Sequence, residues 1–121
     1  MDRKTLRELL KQNLAAAVSK QTGADYVFEY RFAAPERQWR SDIAFPAAKV
    51  AVEIDGGIWT YGRHNRAASM LDDMEKGNGY ATRNWVVFHM PWEWIDGGRR
   101  DRSAQLIADI AAAIKARAVA I

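Results

Sequence analysis

Apolar positions recur along the chain with two periods. Between Asp2 and Lys20, Leu6, Leu9, Leu10, Leu14, Ala17 and Val18 fall at helical spacing, and Thr22-Gly23 follows as a stop. The spacing predicts an amphipathic helix. From Tyr26 to Phe32 the pattern alternates. This predicts a strand with Tyr26, Phe28, Tyr30 and Phe32 on its buried side and Val27, Glu29 and Arg31 on the other. Beyond the turn residues around Pro35, Trp39 to Phe45 and Val50 to Asp55 read as two strands of a hairpin joined by Pro46-Ala47-Ala48-Lys49. Gly56-Gly57 ends the third strand, and Ile58 to Asn65 reads as a loop.

The second half continues in the same way. A helix is expected from Arg66 to Lys76, with Met70, Leu71 and Met74 on its core side and Gly77 and Gly79 closing it. Trp85 to His89 suits a buried strand, in which His89 reads as structural. After Pro91, where Trp92 and Trp94 are expected to pack against the sheet or the last helix, Gly97-Gly98 breaks the chain. A final helix from Ser103 to Ala118 carries Leu106, Ile107, Ile110 and Ile114. The order predicts an α/β fold, a mixed four-stranded sheet flanked by helices with an extra C-terminal helix, in one domain spanning residues 1–121.

Three acids interrupt this pattern. Alternation puts Val50, Val52 and Ile54 on one face of the third strand and Glu53 and Asp55 on the other; Ile43 and Phe45 join the first face, leaving Asp42 and Ala44 opposite. With Pro46 to Lys49 as the loop, Phe45 stands across from Val50 and Asp42 across from Glu53, the register that gathers all five apolar residues on one side. Like charges set directly opposite each other repel. A divalent cation relieves that repulsion. Asp42 and Glu53 are the expected direct ligands, with the backbone carbonyl of Ile54 as a third, while Asp55 would bind a second ion or accept a proton from the attacking water. The alternative is three acids facing solvent on an uncovered sheet face.

Composition narrows the chemistry. The chain has no cysteine and two histidines, His64 and His89, which excludes thiolate chemistry and the usual zinc arrangements. An oxygen-liganded ion, Mg2+ or Mn2+, is the expected cofactor. No GxGxxG or GK[ST] motif occurs, so no nucleotide cofactor is expected. No apolar run approaches the ~18 residues of a membrane span, and the polar N-terminus does not read as a signal peptide, so a cytoplasmic protein is expected. The net charge of +3 is modest, but arginines concentrate in loops, where they suit phosphate contacts. Arg40, Arg63, His64 and Arg66 are the candidate DNA-binding residues, with Trp39 and Trp59 as stacking candidates.

The stretches WRSDIAFP, KVAVEIDGG, GRHNR and DMEKGN make the chain resemble the PD-(D/E)XK nuclease superfamily. Within it, the likeness is to small phage and prophage endonuclease-like proteins related to the Vsr group. The resemblance implies a restriction-endonuclease-like αβββαβ core with Asp42 and Glu53 as the first and second acids. The third position, lysine in that pattern, is Asp55 here. The resemblance therefore implies either an active acid at that position or a positive charge supplied from elsewhere, with Lys76 or the Arg63-His64 pair as candidates. It also implies a glutamate from the first helix acting through a metal-bound water, for which Glu8 is the candidate, and Glu29 of the first strand could approach the site.

The resulting expectation is a metal-dependent DNA endonuclease; so small a domain has little surface for base readout, which favours structure or nick recognition, or a homodimer acting on two strands, over long-site specificity. The alternative is a catalytically inactive nuclease-fold module that binds DNA or protein.

Overall fold

The computed structural model describes residues 1–55, 66–96 and 100–119. Helix α1 spans Arg3–Thr22. Its N-cap is Asp2, whose carboxylate accepts the Thr5 N–H at 2.7 Å, and its C-cap is Gly23 at φ 75°, the left-handed conformation glycine adopts without strain. Strands β1 (Val27–Tyr30), β2 (Ser41–Phe45) and β3 (Val50–Asp55) follow, then α2 (Arg66–Thr82), β4 (Val86–Pro91), the short α3 (Trp92–Asp96) and α4 (Arg100–Val119). The four strands form one sheet in the order β1-β2-β3-β4, antiparallel except for the parallel β3–β4 pair. A parallel neighbour needs a crossover, and α2 supplies it. The chain is thus an α/β fold with an open mixed sheet flanked by helices. No helix among the described residues is long and apolar enough to cross a membrane.

Two cores cover the sheet. The larger is aliphatic: Leu14 and Val18 of α1 and Leu106, Ile110 and Ile114 of α4 pack with Ile43, Phe45, Val50, Val52 and Met90 of the strands. The smaller is aromatic, joining Phe32, Ala33, Ala51 and Tyr80 with Tyr30, Trp39, Trp85 and Val87 at its edge. The hairpin faces follow the expected alternation, with Ile54 packed against the aliphatic core. The other face is covered rather than open. Tyr80 of α2 lies stacked on Phe32, with ring centroids 3.7 Å apart, and Phe32 stacks on Trp39.

Several expectations are corrected. The aromatic residues of the first strand do not share one side: Tyr26 and Phe28 pack on the aliphatic core, Tyr30 and Phe32 on the aromatic one. The switch falls at Glu29, whose φ of 51° breaks the alternation. On α1, Leu6 and Leu9 are exposed while Lys11 is buried with Leu14, Ala15 and Val18. Helix α2 passes through Gly77 and Gly79 to Thr82 because Trp39 packs where a side chain at 79 would stand, so tertiary contact overrides a local stop signal. That packing fixes which side of α2 is buried. Met70, Leu71 and Met74, at about 100° per residue, fall on the opposite side and are exposed rather than core. Trp94 does join the aliphatic core, and it sits on α3, a turn of helix to which the sequence pattern assigns no element.

Candidate active site

The hairpin register sets the site. Phe45 pairs with Val50, Ala44 with Ala51 and Ile43 with Val52, so one step further Asp42 stands across from Glu53. On one side, the Phe28–Ile43 and Tyr30–Ser41 pairs bracket Glu29 and Asp42; on the other, Glu53 pairs with His89. One row across all four strands therefore reads Glu29, Asp42, Glu53, His89. It lies near the end of the sheet where β2 begins and β3 finishes.

Glu53 is buried, at 8% exposure, and needs partners to carry a charge there. Its Oε1 accepts the Tyr80 hydroxyl at 2.5 Å and the Lys76 ammonium at 2.6 Å. Lys76 also donates to the backbone carbonyl of Arg40 at 2.6 Å, which ties α2 to the start of β2. Burial, then the bond to Glu53, holds the Tyr80 phenol well above its ordinary pKa, so it stays a proton donor. Since its proton goes to Glu53, the 2.7 Å contact with Ser41 must be a bond donated by the Ser41 hydroxyl. The relay Ser41–Tyr80–Glu53 fixes the carboxylate from within the aromatic core.

Asp42 is held differently. Its Oδ2 accepts the Ile54 N–H at 2.6 Å, which locks the two strands together at the site. Burial raises its pKa from 3.8 to about 6, and the negative charges of Glu53 and Glu29 push the same way; the Ile54 bond and the Lys11 charge oppose the shift without cancelling it. Lys11, buried on α1, pairs with Glu29 at 3.0 Å and sits 5.0 Å from the centre of the Phe28 ring. The contribution of α1 to the field at Asp42 thus comes from a cation, while Glu8 lies exposed one turn earlier.

The other expected site residues divide. Arg40 is exposed beside the Lys76 anchor, whereas Trp39 is occupied as packing, stacked on Phe32 with the Arg37 guanidinium 4.6 Å over its ring. Trp59, Arg63 and His64 lie outside the described residues. Arg66 is described only as the first residue of α2, and Asp55 only as the last of β3, across from Pro91. His89, expected to be structural, is exposed and lines a cavity of about 370 Å3 between α2 and the strands, together with Glu53 and Lys76. Ser41 and Tyr80 carry no chemical signal in sequence. Tyr80 is, however, four residues after Lys76, one helical turn on the same face, a relation hidden by ending the helix at Gly77.

The donors present fit a hard cation. Among the described residues no group of three or more His, Cys, Asp or Glu side chains is gathered closely enough to hold a metal ion. Asp42 and Glu53 form a pair of oxygen donors, each with one oxygen engaged by the protein and a second that takes no hydrogen bond from a described residue. Burial is the main cause of the upward shift at Asp42, with Glu53 and Glu29 adding to it, and magnesium or manganese is the kind of ion that such carboxylate oxygens suit. Comparison with family models, with curated proteins and with solved structures gives no match for this chain.

Proposed function

We propose that this chain is a metal-dependent DNA endonuclease with a restriction-endonuclease-like core. One observation carries the reading: Asp42 and Glu53 stand opposite each other across a hairpin, with a lysine from α2 bonded to the second acid. A fold selected for stability alone has no use for two carboxylates, one buried and one half-buried, that face each other. The αβββαβ order of the elements is consistent with that core.

Asp42, Glu53 and the Ile54 carbonyl would hold the ion, with Asp55 as a further candidate. Bound there, magnesium or manganese would supply Lewis-acid neutralisation of charge on a phosphodiester. The protein's own groups do the rest. Tyr80 and Ser41 fix Glu53 so that it needs no reorganisation when substrate arrives. Lys76 places a positive charge beside Glu53, the part that lysine plays two residues after the second acid in the pattern where this chain has Asp55. Two acceptors already engage its ammonium, Glu53 and the Arg40 carbonyl, and the third N–H remains for a phosphate oxygen. Arg40 at the mouth of the site suits a contact to the DNA backbone.

The test is nicking of supercoiled plasmid with magnesium or manganese. Wild type should cut, and Asp42→Asn, Glu53→Gln and Lys76→Met should each lower the rate by roughly a hundredfold or more. Absence of metal-dependent cutting by the wild type on duplex, nicked, branched and single-stranded DNA removes the reading. A second reading, a DNA-binding module without chemistry, is favoured by the Lys76–Glu53 pair, which neutralises that acid without a metal. It predicts that Asp42→Asn and Glu53→Gln keep their DNA affinity or gain some, because removing an acid removes repulsion from phosphate.

A further inference from the structure

The cavity beside the acids is more than an extension of a phosphate site. Its volume of about 370 Å3 falls in the range of clefts that take small molecules. Its lining combines the polar Glu53, Asp73, Lys76 and His89 with the apolar Trp85, Val87 and Ala81. A phosphate alone has no use for an indole and a valine. A nucleotide does, since its base has an apolar face and its phosphate would reach Lys76.

Helix α2 supplies an independent observation. Its residues on the cavity, Asp73, Lys76, Gly77, Tyr80 and Ala81, follow the three- and four-residue steps of a single helix face. Gly77 sits within this run, well inside a 17-residue helix, where glycine is about 1 kcal/mol worse than alanine. Packing does not require it, because a Cβ there would meet no atom within 4 Å. Two residues on, Gly79 shows what a packing glycine looks like: a Cβ there would stand 2.5 Å from Cζ3 of Trp39. The smallness of residue 77 serves open space, and that space is the cavity.

We propose that the cavity between α2 and strands β3 and β4 is a nucleoside subsite, which receives an unpaired nucleotide next to the phosphate that Lys76 would contact beside Asp42 and Glu53. The assignment rests on the nuclease reading and deepens it by naming the substrate class: DNA with a nucleotide outside the stack, as in single strands, flaps and mismatches. A stacked and paired base presents no face to the Trp85 wall, and extracting one costs a few kcal/mol, least where pairing is already lost. Aromatic walls suit bases of any sequence.

Gly77→Leu tests this by filling the cavity with a good helix former, and it should fold at least as stably as wild type. In metal-free buffer, titration with thymidine 5′-monophosphate should shift the Trp85 indole N–H resonance of wild type and leave that of Gly77→Leu unmoved. With manganese, wild type should cut a strand with unpaired nucleotides at least tenfold faster than the fully paired duplex, and Gly77→Leu should lose at least tenfold on the unpaired strand. Wild type cutting paired and unpaired DNA equally, or folded Gly77→Leu cutting the unpaired strand at the wild-type rate, overturns the subsite and leaves the nuclease reading standing. A wild type that cuts no DNA overturns the nuclease reading instead. The nucleotide titration then decides the cavity by itself, and equal shifts in both proteins, or none in wild type, overturn it.

Discussion

The two faces of the sheet are built for different ends. On the side of α1 and α4, Ile43, Val50, Val52 and Ile110 are almost wholly buried in an apolar cluster, and the buried Lys11 of α1 is paired with Glu29. On the side of α2, the core is a short aromatic stack whose hydroxyls lead outward, from Ser41 through Tyr80 to Glu53. The first face gains stability from area removed from water. The second gives some of that up to hold a carboxylate in place. The contrast explains how a chain of 121 residues can carry a buried acid, Glu53, beside the half-buried Asp42: one face supplies a surplus and the other uses it.

The largest effect should come from breaking the aliphatic face. Ile110→Ala leaves a void at a residue of 0% exposure and should cost about 2–5 kcal/mol. The urea midpoint should fall accordingly, while cutting per folded molecule stays at the wild-type value. A selective loss of cutting with stability intact would mean that the two faces are not separable.

Asp42→Asn should do the reverse. In metal-free protein the Asp42 carboxyl holds its proton more tightly when folded, at about 6, than when unfolded, near 3.8. The folded state therefore binds more protons between those values, and the contribution of Asp42 to stability falls as pH rises from about 4 to 6, then stays low. Asparagine keeps an oxygen for the Ile54 N–H and removes the charge. It should stabilise the metal-free protein at pH 7 by up to about 3 kcal/mol, with the gain vanishing towards pH 4, and should lower the cutting rate by roughly a hundredfold or more. Urea midpoints across pH in the presence of a chelator measure it. A variant less stable than wild type at pH 7 would show that the site is not under electrostatic strain.

Legibility in the sequence followed the same division. The aliphatic side could be read because five apolar residues of the hairpin can share a face in one register only, and that register set Asp42 against Glu53. The aromatic side was less legible because contacts between distant segments decide it. Glu29 takes a left-handed φ that nothing local demands, so the side of Tyr30 and Phe32 could not be read from alternation. Tyr80 looks like an ordinary core residue until its hydroxyl is seen against Glu53. His89 looks buried within an apolar run, yet its strand position beside Glu53 puts it on the cavity.

The smallest and sharpest comparison lies within α2 itself. Read locally, Gly77 and Gly79 are the same signal, a weak point or an end of a helix. Their surroundings differ: the Cβ of an alanine at 79 would collide with the Trp39 ring, which is itself stacked on Phe32 and cannot yield without disturbing the aromatic core. Gly79→Ala should therefore destabilise by about 1–3 kcal/mol as overpacking does, whereas Gly77→Ala should stabilise by about 1 kcal/mol through helix propensity alone. Thermal unfolding of the two single variants decides it. Opposite signs mean that one glycine is kept for packing and the other in spite of stability, which leaves the open cavity as the reason for the second. Equal signs would remove that reason and with it the separate purpose of this face of α2.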